Sequence, residues 1–204
     1  LKLSRIRTII NLSTRGGIYS MSKKIGFIVG SLRKDSYNKK VAETFEKLFP
    51  ENIEIGYLEI ANLPFYNEDI DMEGNTVQAY TDFRKDAATY DGFVFFTPEY
   101  NRSVPAVIKN AIDVGSRPYG QSIWDGKPAL IVSTSMGAIA GFGANHHLRQ
   151  SLTFINMPTL QQPEAYIGGV QNLIDEDGNF QEATMGFFQS IVDAYVDFFT
   201  KLTK

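Results

Sequence analysis

The sequence predicts an α/β fold, a doubly wound sheet of five parallel strands in the order 2-1-3-4-5. Three observations predict it. Short runs that are apolar on both faces recur along the chain, at residues 25–29, 92–97 and 128–133, as strands covered by helices on both sides require. Stretches with helical periodicity separate them. Polar loops follow the first and third predicted strands, Gly30 to Asn38 and Thr97 to Asn101. In this strand order the winding direction reverses between strands 1 and 3, and ligands bind outside the C-terminal strand ends at such a switch point.

The elements follow in order. After the first strand, residues 38–49 place Val41, Phe45 and Leu48 on one helical face, and Pro50 stops the helix. Residues 53–60 alternate through Ile53, Ile55 and Tyr57 and continue to Leu58 and Ile60 as the second strand, and 62–67 form a loop. A helix over 76–90 gathers Val77, Tyr80 and Phe83. The helix over 104–115 opens with Pro105 in its first turn, where a missing N–H is harmless, and ends at Gly115. Residues 146–155 read as a helix and 159–166 as the last strand. The helix over 184–202 turns Phe188, Ile191, Tyr195, Val196 and Phe199 inward.

Bulk properties narrow the chemistry. The 204 residues are 43% hydrophobic and 21% charged, enough for one domain with a real core. A formal charge of −3 gives no reason to expect a nucleic-acid partner. No apolar run is long enough to span a bilayer, so no membrane partner is expected either. Without cysteine there is no disulfide, thiolate nucleophile or iron–sulfur cluster, and redox chemistry must come from a bound cofactor. The expected compartment is the cytoplasm.

Residues 1–20 read as a leader outside the fold, with Lys2, Arg5, Arg7 and Arg15 and no acid. Removing those four from the 20 basic residues leaves 16 against 23 acids, a formal charge of −7. A cationic, acid-poor leader suits a targeting peptide. Arg15-Gly16-Gly17 is also encodable by AGAGGAGGA, a ribosome-binding-site-like string just before Met21. Translated upstream sequence is the preferred reading, with the domain at 21–204.

The first loop has neither a glycine-rich dinucleotide fingerprint nor a Gly-Lys-Ser/Thr triphosphate loop. It offers Ser31, Arg33, Ser36 and Asn38 at a helix N-terminus. Free N–H groups, the helix dipole and a charge-assisted bond from Arg33 suit a terminal phosphate there. Helix capping by Ser36 or Asn38 is the plainer reading, but it accounts for one residue of the set. In the second loop Pro98 stiffens the backbone, and Glu99, Tyr100 and Asn101 offer polar contacts to a flat heterocycle; a strand-end turn is the alternative. A third loop, Ser133, Thr134, Ser135, Met136, Gly137 and Ala138, is small enough for close approach to a ring. Adjacent His146 and His147 point about 100° apart on a helix and do not converge on a metal, and no metal site is expected. Glu68, Asp69, Asp71 and Glu73 read as a solvated turn. Trp124 either walls a pocket or covers the sheet edge.

The two loops taken together, continued by Val104-Pro105, Lys109 to Asp113, Gly126 to Pro128, His147 to Gln150 and Gln162-Pro163-Glu164, resemble the NADPH-dependent FMN reductases. That family includes azoreductases, quinone reductases and chromate-reducing flavoproteins. The likeness covers nearly everything after Met21 and implies a flavodoxin-like fold with one non-covalent FMN per subunit. It implies that Ser31, Leu32, Arg33, Ser36, Tyr37 and Asn38 hold the phosphate. It sets Pro98, Glu99, Tyr100, Asn101 and Arg102 along the isoalloxazine, with Ser133, Thr134, Ser135, Met136 and Gly137 closing the other side. It further implies hydride transfer from NADPH or NADH, through FMN, to a small-molecule acceptor: a quinone, an azo compound, free flavin or a metal ion such as chromate. No residue is needed as a catalytic nucleophile or obligatory acid. A homodimer or homotetramer is expected. Three positions depart from the family pattern. Gly143 stands where relatives often carry Arg, Asn145 where Gln is usual, and Arg102 where an aromatic is common, which favours an anionic partner. A flavodoxin-type electron carrier and an FMN-free interaction module are the rival expectations, since fold alone does not choose.

Overall fold

The computed structural model describes residues 22–204; the leader expected over residues 1–20 lies outside them. Ten regular elements alternate along the chain: β1 (Lys23–Val29), α1 (Tyr37–Glu46), β2 (Ile53–Tyr57), α2 (Gln78–Ala87), β3 (Gly92–Thr97), α3 (Ala106–Gly115), β4 (Ala129–Thr134), α4 (Phe142–Phe154), β5 (Ala165–Ile167) and α5 (Glu182–Leu202). Short 3-10 turns occupy Glu68–Ile70 and Val170–Leu173. The sheet is five-stranded in the order β2-β1-β3-β4-β5, and every adjacent pair is parallel. The expected flavodoxin-like architecture is therefore present. Register brings Val29 level with Phe96, and Thr97 level with Ser133. The loops leaving β1, β3 and β4 consequently emerge side by side.

Each sheet face buries its own cluster. On one, α1 and α5 set Phe45, Phe188, Ile191 and Phe199 against Phe27, Val94, Phe96 and Val132. On the other, α2, α3 and α4 set Tyr80, Phe83, Ile108 and Leu148 against Ile28, Phe93, Phe95 and Ile131. The Tyr195 hydroxyl on α5 lies 2.9 Å from the Phe93 carbonyl and 3.0 Å from the Pro128 carbonyl. Burial pushes that phenol far up, so it stays a neutral donor tying α5 to two neighbouring strands.

Several sequence expectations need correction. α3 ends at Gly115 as expected, but the cap residue Ser116 is right-handed, so the glycine is not there to make a left-handed turn. Glycine is needed because a β-carbon there would sit 2.5 Å from Trp124 Nε1. Trp124 neither walls a pocket nor covers the sheet edge. It is 0% exposed, packs edge-on against Phe93 at 4.8 Å, and donates from Nε1 to the Ile112 carbonyl at 3.1 Å. Asp71 is not part of a solvated turn. Its carboxylate is 2% exposed and takes two bonds from the Arg84 guanidinium, one of 2.7 Å. Arg84 Nε also donates to the Val114 carbonyl at 2.8 Å. The last strand is only Ala165–Ile167. Thr159 makes a single bridge to Ala129, and Pro163 lacks the N–H that would continue the ladder. Pro105 is the N-cap of α3, one position outside its first turn.

Candidate functional site

The C-terminal edge of the sheet is built for close approach. The Gly30 N–H donates to the Phe96 carbonyl at 2.8 Å, and a β-carbon at Gly30 would meet Ile108 Cδ1 at 2.4 Å. The chain then rises into the first loop, where Arg33 and Leu32 are exposed and Ser36 and Asn38 are buried. Ser36 is the N-cap of α1, its Oγ accepting from the Lys39 N–H at 3.2 Å. The capping reading thus holds for Ser36, whose O–H remains free to donate elsewhere. Asn38 does not cap. Its Oδ1 is buried without a partner.

A cleft of about 650 Å³ runs beside this loop, lined by Arg33, Ser36, Tyr37, Lys40 and, across it, Gln171. Gln171 sits in the 3-10 turn after β5 and donates to the Met136 carbonyl at 3.3 Å. It therefore links the third loop to the first. Nothing in its local sequence marked it, because the link exists only once β5 lies beside β4. Among the described residues, three buried side-chain polar atoms have no partner: Asn38 Oδ1, Thr134 Oγ1 and Gln171 Oε1. Thr134 ends β4, Gln171 lies in the turn after β5, and Asn38 lies in the first turn of α1, after the loop that leaves β1. Each unmet group costs about 1–3 kcal/mol, so buried atoms of this kind mark places shaped for a polar partner.

The second loop is held as a rigid turn. Tyr100 and Ser103 exchange both backbone hydrogen bonds, each 3.0 Å, across Asn101 at φ +51° and Arg102 at φ +64°. Positive φ at both central residues is the geometry of a type I′ turn, which favours Asn-Gly. Arg102 in place of glycine costs about 1–2 kcal/mol. Neighbours hold it there. Glu99 accepts from Arg102 at 3.1 Å and from the Ala144 N–H of α4 at 3.3 Å. A β-carbon on Gly143 would lie 2.8 Å from the Arg102 carbonyl oxygen. His147 Nδ1 is 2.9 Å from Ser103 Oγ. The Glu99 carboxylate is thus spent inside the protein, bonding the turn to α4. This long-range cap also explains why α4 starts at Phe142 rather than at His146.

The third loop divides by depth. Ser133 is fully buried, with Oγ 3.5 Å from both the Ala165 carbonyl and Asn145 Nδ2. Thr134 is buried as well, whereas Met136 and Gly137 are exposed. Asn145 in turn accepts from Arg149 at 3.0 Å. His146 Nε2 lies 3.0 Å from the Tyr166 hydroxyl, which donates to Glu164 at 2.8 Å. With that proton committed, the imidazole must be the donor. Burial and Glu164 push the Tyr166 phenol up to about 12.

A family model described as NADPH-dependent FMN reductase matches residues 23–172. The chain belongs to this family. The reductase is 52% identical to a quinone reductase from Pseudomonas putida over 171 residues, 84% of this chain and 91% of that protein. It is 42% identical to a 2-hydroxy-1,4-benzoquinone reductase from a Burkholderia species over 176 residues, 86% of this chain and 95% of that one. Among solved structures it is similar to the flavoenzyme FerB, an NAD(P)H:(acceptor) oxidoreductase from Paracoccus denitrificans. The TM-score there is 0.82 at 38% identity, covering 89% of the reductase and all of FerB. The reductase is thus an NAD(P)H-dependent enzyme of the FMN reductase class. Among its described residues no helix is long and apolar enough to cross a membrane.

Proposed function

We propose that this chain passes electrons from NADPH or NADH to a quinone through one FMN held at the C-terminal edge of the sheet. The observation that carries this reading is that the three partnerless polar atoms, Asn38 Oδ1, Thr134 Oγ1 and Gln171 Oε1, all belong to strand ends or to the segments that follow them. The residues fit the group. Arg33, Ser31 and the Ser36 O–H, with the first N–H groups of α1, would hold a phosphate. Leu32 and Tyr37 flank it. Pro98, Asn101 and the rigid backbone of Glu99 and Tyr100 would lie along the ring edge. Thr134, Ser135, Met136 and Gly137 would close the other side. FMN, when bound, supplies a two-electron carrier that the side chains of this protein lack. The protein's own work is to bind, orient and exclude water, and no side chain is assigned proton transfer. Quinones are favoured as acceptors because the similar Pseudomonas and Burkholderia enzymes bear quinone reductase names. Azo compounds, free flavin and chromate are secondary candidates.

The test is the absorbance spectrum of the purified protein before and after anaerobic NADPH. Flavin bands that bleach support the reading. Bands that persist with NADPH and NADH alike move it to an electron carrier, and a colourless protein that takes up no FMN leaves a scaffold. Arg33→Ala is expected to weaken FMN binding about ten-fold while changing hydride transfer in the FMN-saturated enzyme much less. Fluorescence titration of the apoprotein with FMN measures this, and an unchanged Kd removes Arg33 from the phosphate site.

A second copy of the chain is the proposed cover for the groove of about 800 Å³ between α3 and α4, lined by Val104, Ile112, Phe154 and Ile155. Phe154 is 89% exposed. Lys109 and Asp113 on the same face pair with each other at 2.7 Å, so the charge at the rim of the groove is already balanced. Phe154→Asp is expected to halve the mass seen by sedimentation; an unchanged mass argues against this face.

A further inference from the structure

We propose that Arg102 selects the electron acceptor by charge, its guanidinium pairing with an anionic group carried by the quinone. The proposal rests on the FMN reductase reading and adds the substrate class to it.

The backbone points to the side chain. Arg102 occupies a left-handed position, φ +64°, that glycine fills without strain. The position is fixed by Glu99, by the close approach of its own carbonyl to Gly143, and by His147 through Ser103. Strain of this kind persists where the surroundings over-determine it, and it collects at functional sites. What the arginine adds over glycine is a cation on the β3 loop, rooted in a fixed backbone and tethered by one bond to Glu99.

The guanidinium is available. Its side chain is 68% exposed against 12% for Glu99. Glu99 takes a single bond from Nη1, so most of the five N–H donors of the fork face solvent. Glu99 itself cannot leave with a ligand, because its other oxygen holds the Ala144 N–H. It acts as a fixed hinge pin, and the free side of the fork is left to meet a second anion.

The cation is not needed by the phosphate. The cleft beside α1 is lined by Arg33, Lys34, Lys39 and Lys40, and Arg102 does not line it. Arg102 instead follows the segment Pro98 to Asn101 assigned to the ring edge. An acceptor stacked on the ring would carry a carboxylate, sulfonate or ionised hydroxyl within reach of it. Neighbouring Tyr100, 49% exposed, supplies apolar surface for the rest of such a molecule.

The experiment compares 1,2-naphthoquinone with its permanently charged 4-sulfonate in FMN-loaded wild type, Arg102→Gly, Arg102→Gln and Arg102→Lys. Glycine relieves the backbone strain, so loss of folding does not obscure the result. The expected outcome is a fall of about ten-fold in the kcat/KM ratio of sulfonate over neutral quinone for the Gly and Gln variants. Lys restores part of it. The wild-type ratio also falls with added salt while that of Arg102→Gly stays flat. An unchanged ratio overturns the proposal. So does an equal loss for both quinones, which makes Arg102 a part of the FMN site. A change confined to KM for NADPH or NADH overturns it in favour of a nucleotide phosphate. If wild-type protein loaded with FMN oxidises neither nucleotide, the underlying reductase reading fails and takes the proposal with it.

Discussion

Trp124→Ala lowers the free energy of unfolding by about 3–5 kcal/mol. The indole is fully buried, packs against Phe93, Phe83 and Phe95, and donates its one N–H to the Ile112 carbonyl. Removing it leaves a cavity that α3 and the sheet cannot close, and strips that carbonyl of a partner. At about 2–4 °C per kcal/mol for a chain of this length, the melting midpoint falls by about 6–20 °C. Urea titration followed by far-UV circular dichroism, with FMN saturating in all samples so that ligand linkage cancels, measures the change. A companion variant gives the effect a sign. Gly115→Ala ordinarily steadies a helix by about 0.5–1 kcal/mol, but here its methyl would strike the rigid indole at 2.5 Å. It is expected to destabilise wild type and to stabilise the Trp124→Ala background. A loss below 1 kcal/mol for Trp124→Ala, or an unchanged sign for Gly115→Ala, refutes this account of the α3 packing.

Asp71→Ala is expected to cost a similar amount, about 3–5 kcal/mol. Both partners are largely out of water, with side-chain exposures of 13% for Arg84 and 2% for Asp71. Arg84 cannot follow its lost partner to solvent without giving up the Val114 carbonyl and its place over the Tyr80 ring. The penalty is chiefly that of a buried, unpaired charge. Asp71→Ala with Arg84→Met is therefore milder than Asp71→Ala alone, although two groups are removed. The same denaturation measurement distinguishes them. A double variant no better than the single one shows that the pair itself, and not the stranded cation, carries the stability.

Elements whose cause is local were legible in the sequence. Residues 25–29 of β1, all of β3 and most of β4 are runs apolar on both faces, and the run 92–97 coincides with β3, where every position is buried. The amphipathic spacing of α5 gave Phe188, Ile191, Tyr195 and Phe199 correctly as core. That the loops after β1, β3 and β4 emerge side by side followed from strand order. Features caused by a distant partner were not legible. Asp71 looks like any acid in a polar turn until Arg84 is folded against it. Gly115 carries a glycine's usual ambiguity, resolved by a tryptophan nine positions later. The start of α4 depends on a carboxylate forty-five residues upstream. Gln171 joined the candidate site through its bond to Met136, across the β4–β5 pair.

The bonds from Tyr195 to Phe93 and Pro128 set an order on biosynthesis. The apolar faces of Phe27, Val94 and Phe96 are synthesised early, but the helix that covers them with Phe188, Ile191 and Phe199 is made last. About a hundred residues separate Thr97 from Phe199, which is about 5–20 s of translation. For that interval α1 alone covers this face of the sheet, and the surface that Phe188, Ile191 and Phe199 will occupy stays open. A chain ending before α5 would keep that aromatic surface exposed, which favours association over folding.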